Sequence, residues 1–124
     1  MTVAFVYPSP NAKKKWRVDL ANGKHVDFGH ADASDFTIHK DSHRMLAYLL
    51  RHGGVSRTEY NRAKQLSHSQ IISRYLNRSK STKENWKDIT TPGFWARWLL
   101  WSKPSLRAGA SQVKAISGIS VRFV

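Results

Sequence analysis

Hydrophobic and polar positions along the chain fall into short runs whose period changes several times. Val3-Ala4-Phe5-Val6-Tyr7 is β-branched and aromatic and is broken by Pro8-Ser9-Pro10-Asn11, which predicts an extended strand on a stiff hinge. Two roles fit it: an ordinary edge strand of the domain, or an arm that docks on a neighbour. Trp16-Arg17-Val18-Asp19-Leu20 alternates apolar with polar, as does His25-Val26-Asp27-Phe28, and Ala21-Asn22-Gly23-Lys24 joins the two. That is a β-hairpin with Asn-Gly at its turn. Trp16, Val18 and Leu20 share one face, and Val26 with Phe28 share theirs.

The period then becomes helical. Gly29 to Ser34 reads as loop, and Asp35 to Asp41 leads into a helix from about Ser42 to His52, with Asp41 as N-cap and Gly53-Gly54 as the stop. Met45, Leu46, Leu49 and Tyr48 are its core side; Arg44 and Arg51 lie opposite. Ser56-Arg57-Thr58-Glu59 fits the S-x-x-E capping box and predicts a helix from Arg57 to about Asn77, which Ser67-His68-Ser69 could divide in two. Ser81-Thr82-Lys83-Glu84 repeats the box and predicts a brief helical turn before Trp86.

Thr91 to Pro104 is the most apolar stretch and holds three of the five tryptophans. Thr91 is a good cap, Pro92 suits the first helical position, and Pro104 marks a stop. Phe94, Trp98 and Trp101 recur at i, i+4, i+7, and Trp95 and Leu99 widen the stripe until Ala96, Arg97 and Leu100 are left for another side. Such a helix must be wrapped. A last, weaker helix follows through Leu106, Val113 and Ile116, and Ile119 to Val124 alternates like a strand. These elements predict an α+β fold: a hairpin packed on three to four helices, with strand-like ends. The expected division is an N-terminal arm over 1–12, one small domain over 13–118 containing an insertion at 55–83, and a tail over 119–124. Trp16, Phe28, Trp86, Phe94, Trp95, Trp98, Leu99 and Trp101 are the expected core. Phe5, Tyr7, Val121 and Phe123 are the expected contacts of the two arms.

Charge adds a partner to this picture. The 21 Lys and Arg against 8 Asp and Glu in 124 residues leave a net +13, so an acidic surface is expected opposite: nucleic acid, an anionic membrane or an acidic protein face. Lys13, Lys14, Lys15, Arg62, Lys64, Arg74, Arg78 and Lys80 are the candidate anion contacts. Cysteine is absent, which removes disulfides and thiolate metal sites. No apolar run approaches the ~20 residues of a membrane span, and the first residues lack the pattern of a signal peptide.

Candidate chemistry is sparse. His39 and His43 stand four apart, but without H-E-x-x-H or a third ligand they read as polar residues at a helix start. Gly53-Gly54 is followed by neither Lys-Ser nor Lys-Thr, so it is no phosphate loop, and no serine sits in a G-x-S-x-G elbow. No catalytic residue, metal or cofactor is expected, and binding is the favoured class. Trp95-Ala96-Arg97-Trp98 has the composition of a base-stacking platform, though an apolar stripe at this spacing is read first as core.

Three blocks occur in order: Gly23-Lys24 with Val26-Asp27-Phe28-Gly29; Asp35 to Asp41 with Arg44, Tyr48 and Arg51-His52; and Trp86 with Ile89 and Thr91 to Leu106. Together they resemble a family of small basic proteins encoded by nucleocytoplasmic large DNA viruses. The resemblance spans about Lys14 to His52 and Trp86 to Leu106, and departs from that family at Val55 to Lys83 and at both ends. It implies a virus-encoded protein without enzyme activity. The expected function is a structural virion protein of a large icosahedral DNA virus, a minor capsid protein that bridges or cements capsid subunits. It would reside in the virion, and in the host cytoplasm during assembly. The alternative is a non-sequence-specific nucleic-acid-binding protein of the viral core.

Overall fold

A computed structural model describes residues 2–124. Among these, the chain is α+β. Strands β1 (Val3–Pro8), β2 (Lys14–Asp19), β3 (His25–His30) and β4 (Ser120–Phe123) form one sheet in the order β3-β2-β1-β4. The helices are α1 (Phe36–His39), α2 (Ser42–Arg51), α3 (Arg57–Ala63), α4 (His68–Tyr75), α5 (Pro92–Trp95) and α6 (Leu106–Ser117), with a π-turn (Ala96–Leu100) continuing α5.

The β2–β3 hairpin forms with Trp16 opposite Phe28 and Val18 opposite Val26. Its turn places Gly23 at φ +85°, and Lys24 N–H donates to Asn22 Oδ1 at 2.9 Å. Asn-Gly is used as predicted, with only the glycine in the left-handed region.

The predicted terminal arms are corrected. β1 is an inner strand, antiparallel to β2 and parallel to β4, with Ala4 beside Val121 and Val6 beside Val18. Ala4 and Val6 are buried, and the alternation that suggested an arm is the alternation of a strand with one face on a core. Phe5 and Tyr7 lie on the opposite face, which the helices leave open; Phe5 is 44% exposed. There Tyr7 Oη donates to Asp19, and Arg17 makes a two-pronged contact to Asp27 at 2.8 and 3.0 Å. Val121 packs on the core from β4, while Phe123 remains largely exposed at the sheet's edge. The boundaries at 12 and 118 therefore separate nothing: sheet, helices and ends are one body.

Asp41 caps α2 and Ser56 caps α3, each accepting from first-turn amides. The predicted helix over Arg57 to Asn77 is two helices, because Ser67 opens a reciprocal capping box with Gln70 and starts α4 afresh. The brief helix before Trp86 is absent: Ser81 Oγ accepts from Lys83 and Glu84 amides, but it donates to His52 O, fixing a turn instead. A helical turn missed in the sequence, α1, is capped by Asp35, whose carboxylate also takes Thr37 Oγ1 and Lys15 Nζ.

The tryptophan stretch begins as predicted, with Thr91 capping and Pro92 at the first position, but its helix stops well before Pro104. Trp101 N–H reaches back to both Ala96 O and Arg97 O, at 3.1 and 3.3 Å, which is the signature of a π-turn. Phe94, Trp95, Trp98, Leu99, Phe28 and Trp86 are fully buried; Trp16 and Trp101, expected with them, are half-buried at its rim. Each buried indole N–H finds an acceptor: Trp86 on Glu84, Trp95 on Ile89 O and Trp98 on Trp86 O, all at 2.7 Å. α6 crosses the π-turn so closely at Gly109 that a Cβ there would lie 2.6 Å from Leu99 O.

Candidate functional site

Arg97, left by the sequence pattern on another side from the aromatic stripe, is completely buried. It lies against the rings of Trp86 and Trp98, with its guanidinium carbon 5.4 and 4.9 Å from their centroids. Its Nη2 donates to Tyr75 O, Leu76 O and Arg78 O at 3.1, 2.9 and 3.0 Å, its Nε to Arg78 O, and its Nη1 to Trp101 O. No carboxylate is involved. The counterpart is the C-terminal end of α4, whose last carbonyls lack intrahelical partners and carry the negative end of the helix dipole. Burial pulls the Arg97 pKa down to about 10, so the cation persists at neutral pH. Three of the four carbonyls it needs are 19 to 22 residues distant in sequence, so only a lone cation inside an apolar run could have hinted at this role.

The excursion from Val55 to Lys80 is thereby locked onto the tryptophan helix. Its base is closed separately: Thr82 N–H donates to Gly53 O at 2.9 Å, and Lys83 Nζ to Arg51 O at 3.0 Å. Between base and helices lies a cleft of about 790 Å³, lined by Gly53, Ser56, Glu59, Arg74, Arg78 and Lys80. Three of the eight candidate anion contacts thus meet at one place. They are not equivalent. Arg78 is held by Glu59 at 2.8 and 3.1 Å and by Gly54 O at 2.9 Å, and this hydrogen bonding lowers the Glu59 pKa and raises that of Arg78. Arg74 and Lys80 have no carboxylate partner among the described residues and are exposed.

The other candidates are dispersed. Arg62 and Lys64 are exposed on and just after α3, with Lys64 lying 5.7 Å over the Tyr60 ring. Lys13 is exposed, Lys14 half-buried, and Lys15 pairs with Asp35 at 2.7 Å in a largely buried bridge. Of the lysines and arginines among the described residues, only Lys15, Arg17 and Arg78 pair with carboxylates, so most of the 21 face solvent unneutralised. On the sheet, the Arg17 hydrogen bond holds Asp27 down to about 2.

A second cleft, about 280 Å³, opens between α2 and the π-turn, and Lys14, Tyr48, Arg51, His52, Glu84 and Trp101 are among its walls. The His52 ring meets Glu84 at 2.9 Å. Tyr48 stacks between His52 and Trp101, centroids 4.2 and 4.6 Å away. None of this grouping was read from the sequence, because His52 and Glu84 are separated by the whole excursion. His39 and His43 do not share a helical face: Lys40, at φ +54°, ends α1 between them. Among the described residues no group of three or more His, Cys, Asp or Glu could hold a metal ion, and no helix is long and apolar enough to cross a membrane.

Residues 4–52 match the model of a family of unknown function, DUF5754. The match takes in the hairpin, α1, α2 and all of β1 but Val3, and ends at His52, just before Gly53-Gly54. No curated protein and no solved structure matches the chain.

Proposed function

We propose that the protein is a small basic structural component of a virus particle, of the large icosahedral DNA virus kind that its motif set resembles, acting by binding rather than catalysis. It would be a minor capsid protein that meets an acidic partner through side chains on a preformed surface. The observation that supports an acidic partner is the unneutralised charge: 21 cations, of which three have a carboxylate partner among the described residues. Bridging by flexible apolar arms is no part of this reading, since both ends are occupied in the sheet. Fractionating purified particles and following the protein by mass spectrometry tests it. The expected outcome is retention with the shell after the nucleic acid is released. Exclusive departure with the nucleic acid, or absence from particles, overturns it.

The alternative, non-sequence-specific binding of nucleic acid in the particle's core, is supported by Arg74 and Lys80 around the excursion cleft. Such binding weakens linearly in log affinity against log salt, by about 0.9 per phosphate on duplex DNA. Arg74→Glu with Lys80→Glu should remove that contact without touching the Arg78–Glu59 pair. A doubly reversed protein with an unchanged salt slope overturns this second reading.

A further inference from the structure

β4 closes the sheet on one side, and among the described residues no strand pairs with its outer edge. Toward β1, Ser120 N–H donates to Thr2 O and Val124 N–H to Val6 O, both at 2.9 Å. Main-chain groups of successive strand residues turn to opposite edges, so those of Val121 and Phe123 point out of the sheet. The other edge is less regular, because β3 is interrupted by Gly29 at φ +78°. Along β4 runs a groove of about 340 Å³ between this strand and α6, with Val121, Phe123 and Ala110 as its apolar walls and Arg107 and Lys114 as its charged ones. No carboxylate side chain lines it, and the last Asp or Glu of the sequence is Asp88. Phe123 is 45% exposed there. Arg122, opposite Phe5 on the other face of the sheet, adds a third cation, and none of the three pairs with a carboxylate among the described residues.

An open strand edge flanked by a groove is where an extended peptide adds as a further strand, its main chain supplying affinity and its side chains specificity. Charge selects the peptide. A second copy pairing edge to edge would set Arg107, Lys114 and Arg122 against the same residues of another +13 chain, which is repulsive. Nucleic acid would meet the cations but has no peptide groups to continue the ladder and would leave the apolar walls unused. Arg107 and Lys114 stand seven residues apart on α6, about 10 Å along a helix, which is the length of about three residues of extended chain.

We propose that an extended acidic segment of a partner protein adds to β4 as an outer strand. Its main chain pairs with Val121 and Phe123, its apolar side chains pack on Phe123, and its carboxylates meet Arg107, Lys114 and Arg122. This gives the acidic partner proposed above a docking surface, and it rests on that partner's chemistry alone, not on the virus particle.

Calorimetric titration of the full chain with a capped hexapeptide of alternating glutamate and valine tests the proposal, beside the same peptide N-methylated throughout and a thymidylate oligomer of the same charge. The unmodified peptide should bind, and N-methylation, which removes its main-chain donors, should weaken it at least tenfold. Arg107→Glu with Lys114→Glu, both at exposed positions, should weaken it at least tenfold with the melting temperature unchanged. Phe123→Pro removes an amide that points out of the sheet, a change edge strands tolerate, and should weaken binding several-fold beyond Phe123→Ala. Absence of peptide binding overturns the proposal, as does equal affinity for the N-methylated peptide or the thymidylate oligomer, which would mean attraction of charge alone. A dimer in sedimentation that Phe123→Pro abolishes would give the edge to a second copy and overturn it too. Retention in the shell of particles without peptide binding would reject this surface while leaving the function proposed above in place.

Discussion

The sheet with its tryptophan helix and the excursion over 55–80 are built on opposite principles. The first buries Phe28, Phe36, Trp86, Phe94, Trp95 and Trp98 in one cluster, whereas the excursion buries the smaller set Val55, Ala63, Ile71 and Tyr75 in it, with Tyr60, Leu66, Ile72 and Leu76 half-buried against it. Beside that thinner apolar contact, the excursion is held by a few polar clamps: capping serines at 56 and 67, the closure at 53 and 82, the Arg78–Glu59 bridge, and Arg97 at the end of α4. Apolar burial is spread over many contacts and resists any one loss, while a few polar clamps fail one at a time. The excursion should therefore open before the body does, and each substitution below either breaks that contrast or sharpens it.

The largest effect is expected from Trp98→Ala in the body. It removes a fully buried indole together with its bond to Trp86 O, and should cost roughly 3–5 kcal/mol. Chemical denaturation would read this as one cooperative transition at lower denaturant. Unchanged stability would mean that the stripe is not core.

Arg97→Lys comes next and tests whether the two regions are separable. Lysine keeps a charge but lacks the planar fork that reaches four carbonyl oxygens, so buried acceptors lose their partners at about 1–3 kcal/mol. Hydrogen exchange should rise first in α4 and the segment to Arg78, with β1 and β2 still protected. Uniform loss of protection would make excursion and body a single cooperative unit.

Gly109→Ala distinguishes packing from propensity inside the body. In a free helix interior alanine is favoured over glycine by about 1 kcal/mol. Here its Cβ would sit 2.6 Å from Leu99 O, against backbone that has no side chain to swing away. The expected sign is destabilisation, by about 1–3 kcal/mol, read from the midpoint of thermal unfolding. A stabilised variant would show that α6 can retreat from the π-turn.

The smallest effect belongs to Glu59→Gln, at or below about 1 kcal/mol because the bridge to Arg78 is partly solvated. Its pH signature is clearer than its size. The folded Glu59 pKa lies below the ordinary value, so the bridge contributes in full above that value, near 4.3, and is lost as pH falls through the folded pKa. Acidification should raise exchange in α3 and its surroundings, and Glu59→Gln should abolish that dependence. An excursion whose protection ignores pH between 5 and 3 would remove the bridge from its set of clamps.

Local chemistry made much of this legible. Asn22-Gly23 announced the hairpin, Asp41, Ser56, Thr91 and Pro92 announced helix starts, and the spacing of Phe94, Trp95, Trp98 and Leu99 announced a buried helix. Each signal acts within a few residues of itself. The second cleft was illegible for the opposite reason. Tyr48, Glu84 and Trp101 come from distant parts of the chain, and only the packed fold brings them to one cleft.

By itself, then, the sequence determined the kinds of element, their caps, most of the apolar core, and the excess of positive charge. Tertiary structure decided where the ends go, because an alternating strand is the same sequence whether it docks on a neighbour or on its own sheet. It also decided that Arg97 would be a buried clamp. A cation's fate depends on the acceptors folding brings to it, and here those are backbone carbonyls, which every residue carries and no sequence pattern distinguishes.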